Sequence, residues 1–166
     1  MSEIRNRVKE SGLISMDLAT FVPTITAVEI DLKDQLWQGL ALKEKDFRTW
    51  IKTHDWTHYS GKAVNVTCSV DAIIPTWAYM LVSSKLLEAN AFSVIGDETE
   101  LQNALIKQKI TELDLKEFTD SRIIIKGCAN VKDPAFAMSE LLKQLQPVAK
   151  SIMYGEPCST VPVFKR

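Results

Sequence analysis

Three cysteines carry the reactive chemistry available to this chain. Cys68 closes the stretch "AVNVTC", Cys128 closes "RIIIKGC", and Cys158 follows Gly155 in "YGEPCSTVPVFKR". Each stands just beyond a run that reads as a β-strand, at the strand's carboxyl end. Thiolate is a soft ligand suited to zinc or iron, and a three-cysteine site needs a fourth donor from histidine, a carboxylate or water. Asp71 is the carboxylate closest to Cys68, and Glu156, His54 and His58 are the accessory donors. No C-x-x-C pair is present, so the shared strand-end position is what groups these residues. A nucleophilic thiol is the second chemistry. Cys68 precedes "SVDAIIP", where the amides opening a helix would favour thiolate, with a histidine of "HDWTHY" as base.

The elements that must position the thiols follow from apolar spacing. From Leu13 to about Leu32, alternating Ile14, Met16 and Leu18, then Val28, Ile30 and Leu32, predict two short strands around Pro23, forming an N-terminal hairpin or an edge extension. Phe47, Trp50 and Ile51 at helical spacing predict a surface helix that ends near His54. Beyond residue 60, apolar strands alternate with longer amphipathic segments, which reads β-α-β-α-β-α-β. Asp97 with Glu100 forms a capping box, and Asp133-Pro134 opens a later helix. Alternation of this kind predicts an α/β fold with a mainly parallel, doubly wound sheet. No repeat or linker is evident, and the expectation is a single domain over 1–166, with N-terminal strands in 1–35 and a core in 60–166. If the strand order is flavodoxin-like, the strands ending at Cys68, Cys128 and Cys158 are neighbours, and their thiols meet at the carboxyl edge where such sheets bind ligands. Gly155, Pro157 and Pro162 would hold Cys158 over that edge, with the apolar tail docked on the domain.

Composition limits the partners. With 46% hydrophobic and 25% charged residues, 166 residues suffice for a proper core. A net charge of -1 with scattered lysines and arginines offers no basic face for nucleic acid. The charged start "MSEIRNRVKESG" does not suit a signal peptide, and no apolar run approaches the ~18 residues of a membrane span. A cytoplasmic protein with reduced thiols and no membrane partner is expected. Phosphate-binding glycine loops and the G-x-S-x-G elbow are absent from the sequence.

The segments "KEKDFR", "HDWTHYSGKAVNVTCSVDAIIPTWAYMLV", "IIIKGC" and "LQPVAKSIMYGEPCSTVPVFKR" resemble the domain of unknown function 2480 family, over nearly the whole chain. The resemblance implies a small cytosolic bacterial protein without an assigned activity, and an association with iron–sulfur cluster assembly genes. Three functional classes stay open on these residues. One is an accessory protein with a cysteine-based metal or thiol site holding zinc or iron, with a partner in iron–sulfur assembly. The others are a cysteine-dependent enzyme and an interaction module with inert cysteines, working through the N-terminal strands or the Trp37 region. The unpaired edges of those strands suggest a homodimer.

Overall fold

The computed structural model describes residues 12–166. The beginning of the expected 1–35 segment, residues 1–11, lies outside them. The strands are β1 (Leu13–Asp17), β2 (Ala27–Asp31), β3 (Ala63–Thr67), β4 (Phe92–Ile95), β5 (Arg122–Lys126), β6 (Ser151–Glu156) and β7 (Ser159–Lys165). The α-helices are α1 (Glu44–Thr53), α2 (Thr76–Glu88), α3 (Glu98–Thr111) and α4 (Pro134–Leu145). The fold is α/β, as expected, but its strands form two open sheets rather than one. The order β2-β3-β4 is parallel throughout, and in β1-β5-β6-β7 only the last strand is antiparallel.

β1 and β2 do not pair as a hairpin. Each lies in parallel at an edge of its own sheet, β1 along β5 from Leu13↔Arg122 to Asp17↔Lys126, and β2 along β3 from Ala27↔Ala63 to Asp31↔Thr67. Both strands end in an aspartate whose side chain accepts a backbone N–H two residues on, Asp17 from Ala19 and Asp31 from Lys33, and so starts a 3-10 turn. These turns replace the tight connection that a hairpin requires. The chain crosses each set of parallel strands in one direction, so neither sheet has the reversal of strand order that marks a doubly wound ligand crevice.

The two sheets belong to two compact units, residues 24–104, and residues 12–23 with 105–166. In the first, Val64 and Val66 share a core with Phe47 and Ile51 of α1 and with Ala78, Val82 and Leu86 of α2. In the second, Ile123, Ile125 and Ile152 share one with Ile106 and Ile110 of α3 and with Ala137, Leu141 and Leu145 of α4. The branched side chains suit pleated strands, and the four-residue spacing of the helical ones puts them on a single face.

These two sets repeat each other. Phe47, Tyr59, Val64, Ala78, Val82 and Leu86 recur at one constant spacing as Ile106, Phe118, Ile123, Ala137, Leu141 and Leu145, and every one of them is buried. Asp55 and Asp114 keep that spacing and cap the 3-10 turns ahead of β3 and β5. Gly96 and Gly155 keep it after Ile95 and inside β6. An internal repeat is therefore present, contrary to the sequence reading, because exchanges such as Tyr59 for Phe118 preserve burial without preserving identity. β7 is an addition to the second unit, where it turns the tail back along β6.

Local helix signals form as expected. Glu100 accepts from the Asp97 N–H at 2.6 Å while Asp97 accepts from the Glu100 N–H at 3.1 Å, and Asp133 accepts from the Phe136 N–H at 3.0 Å. Helix α1 closes at His54, whose N–H donates to the Trp50 carbonyl. Among the described residues, no helix is long and apolar enough to cross a membrane.

Candidate functional site at the strand ends

In the unit of residues 24–104, the carboxyl edge is organised by Asp31. Its Oδ1 accepts the backbone N–H groups of Lys33 at 3.0 Å and Ser69 at 3.1 Å, and the Lys33 ammonium lies 3.2 Å from Oδ2. Burial would raise its carboxyl, but hydrogen bonds from the Ser69 hydroxyl and amide and from Lys33 outweigh this and hold it at about 2. The lowered value ties the loop after β3 to the end of β2 most strongly above the unfolded carboxyl value of 3.8. Asp31→Asn is expected to lose about 1–2 kcal/mol at neutral pH, after allowance for solvent screening. The gap from wild type should close as pH falls through 3.8 toward 2, measured by urea unfolding at several pH values. A gap unchanged at low pH would refute the assignment.

Cys68 and Asp71 lie in this same loop. The Cys68 thiol is half-buried, donates to the Val70 carbonyl at 3.5 Å and packs against the core of its unit. Burial raises the Tyr79 phenol, and the nearby Cys68 adds to the effect. Asp71 is exposed.

The histidines have other partners. His54 Nε2 lies 2.9 Å from the Tyr59 hydroxyl within a group of rings that includes Trp50 and Trp56, and His58 Nε2 lies 3.4 Å from Lys62 Nζ. No hydrogen bond joins either histidine to Cys68 among the described residues, and α2 starts well beyond the thiol, at Thr76. The elements of a histidine-activated nucleophile at a helix start are thus not assembled.

The second unit presents the other two thiols. At the end of β1, Asp17 occupies the position matching Asp31, and Gly127 (φ +73°) sits directly against its carboxylate, where any Cβ would collide with it. Cys128 follows and is exposed. On the neighbouring strand, β6 and β7 are joined through Pro157 and Cys158, since Glu156 pairs with Ser159. Cys158 is therefore at the tip of a two-residue hairpin, also exposed. Lys126 Nζ, at the end of β5, lies 3.6 Å from Glu156 Oε2, at the end of β6. Cys128 and Cys158 each come two residues after a member of this ion pair.

The expected three-thiol group rested on neighbouring strands that the fold separates: β3 is in one sheet, and β5 and β6 are in the other. Among the described residues, no group of three or more histidine, cysteine, aspartate and glutamate side chains is arranged to hold a metal ion. Cys68 and Asp71 belong to residues 24–104, while Cys128, Glu156 and Cys158 belong to the second unit. The Trp37 region does expose apolar surface. Trp37 is 47%, Leu40 64% and Ile73 85% exposed, and Ala41 bridges to both Trp37 and Ile73.

Sequence reasoning missed Asn65. It is buried in the middle of β3, and its Nδ2 donates to Glu29 Oε2 at 3.0 Å on β2 and to the Gly96 carbonyl at 3.3 Å just past β4. One amide thus clamps all three strands and borders a cavity of about 260 Å³ with Glu29 and Glu98. The signal was a lone polar residue inside "AVNVT", where a buried amide requires partners.

No curated protein and no solved structure matches the chain. Residues 2–166 match the model of Protein of unknown function (DUF2480), and the chain belongs to that family.

Proposed function

We propose that Cys128 and Cys158 form an open two-thiol site that takes up a soft metal ion, zinc or ferrous iron, as cargo and passes it to a protein partner. The observation that carries this reading is that two exposed thiols leave the same edge of one sheet from neighbouring strands, next to the Lys126–Glu156 ion pair. Thiolates select soft and borderline metals, and a structural zinc site closes with four ligands. Two thiolates leave positions open for water or for a recipient's own donors, which suits delivery better than storage. The two-residue hairpin at Cys158 restricts the frame before the metal arrives, which lowers the ordering cost of binding. A role in metal handling for iron–sulfur assembly is consistent with this chemistry.

Competition of reduced, metal-free protein with a chromophoric chelator for zinc tests the reading. One ion per chain is expected, with Cys128→Ser and Cys158→Ser each weakening binding by about tenfold or more, equivalent to about 1.4 kcal/mol. Cys68→Ser should leave the affinity unchanged. Binding that survives both of the first substitutions, binding that requires Cys68, or no binding would each overturn it.

A further inference from the structure

We propose a second site, independent of the thiols, at the opposite, amino-terminal edge of the same sheet: a groove that binds a small amphipathic carboxylate. Its volume is about 360 Å³, within the range of small-molecule sites. Met153, Pro162 and Phe164 contribute its apolar surface, while Arg122, Lys150 and Lys165 contribute three cations. None of these three has a carboxylate partner among the described residues, in contrast to Arg166, which lies 3.8 Å from Asp120 and donates to the Pro147 carbonyl. A scattered surface lysine is ordinarily solvated. Three cations bordering one apolar groove, none with a carboxylate partner among the described residues, instead complement a ligand with an anionic head and an apolar body.

The backbone supplies a separate reason for the groove. β7 is the strand that the repeat in residues 24–104 lacks, and its pairing with β6 slips between Ile152 and Met153. Ile152 faces Phe164 and Met153 faces Pro162, so Val163 is an extra residue, a β-bulge of the kind found beside binding sites. Pro162 brings no N–H to the ladder. The bulge therefore lies among the residues that border the groove, and Lys165 is held in place opposite Ser151.

The test uses the methyl signals of the five methionines in protein labelled with carbon-13 at those methyls, titrated with 4-phenylbutanoate and separately with its neutral amide. The carboxylate should shift Met153 with a dissociation constant of roughly 0.1–1 mM, as a ligand of this size allows, and the amide should bind at least about tenfold more weakly. The double variant Lys150→Glu, Lys165→Glu should lower carboxylate affinity by about tenfold or more. The milder pair Lys150→Gln, Lys165→Gln should lower it less, and thermal melting checks that both variants are folded. Equal binding of amide and carboxylate, shifts confined to methionines other than Met153, or no shift up to the solubility limit would each overturn the proposal.

Discussion

Gly155→Ala is expected to destabilise the second unit by about 2–4 kcal/mol and to weaken metal binding, as Cys158→Ser does. Gly155 has φ +120°, a conformation that side chains bearing a Cβ rarely adopt. A Cβ at this position would stand 2.5 Å from the Ser159 carbonyl oxygen and 3.4 Å from Thr160 Cα. These are backbone atoms of β7, so relief requires the β6–β7 ladder to open at the hairpin that carries Cys158. Gly61→Ala is the control. Gly61 also has a positive φ, +69°, but its Cβ would meet nothing within 4 Å, so only the conformational cost of about 1–2 kcal/mol should appear. Urea unfolding of the two variants gives the comparison. Equal losses would mean that the steric conflict at Ser159 is relieved without opening the ladder.

Leu141→Ala is expected to cost about 3–5 kcal/mol. Leu141 is fully buried on α4, in the core formed with Ile123, Ile125 and Ile152, and removing its isobutyl group leaves a cavity. Val82, its repeat partner on α2, has a smaller side chain and the same burial, so Val82→Ala should cost less, about 2–3 kcal/mol. Hydrogen exchange locates each loss. Protection should fall first in residues 105–166 for Leu141→Ala and in residues 24–104 for Val82→Ala. A loss below about 1 kcal/mol at Leu141 would contradict its place in the core. An even fall across the chain would show that the two cores unfold as one.

The elements themselves were legible because local chemistry specifies them. Runs such as "RIIIK" and "AVNVT" favour strands, Asp97 and Asp133 mark helix starts, and His54 marks a helix end. Strand partnership was not legible, since parallel pairing is decided by contacts distant in sequence. Ile14 and Met16 alternate much as Val28 and Ile30 do, and nothing in that alternation says that β1 joins β5 while β2 joins β3. The same difficulty explains the thiols. Their positions after strands were readable, but placing Cys68 with Cys128 and Cys158 needed a strand order that two separate sheets do not provide. The repeat was hidden because its matching positions share size and burial more than identity, as with Phe47 and Ile106.

Treatment of reduced protein with a trivalent arsenical that bridges closely spaced thiols, followed by mass mapping, tests whether Cys128 and Cys158 form one site. One adduct per chain is expected, linking Cys128 to Cys158 and lost when either is replaced by serine, with Cys68 left free. Separate alkylation of Cys128 and Cys158 by a monofunctional reagent, with no bridged product from the arsenical, would contradict it.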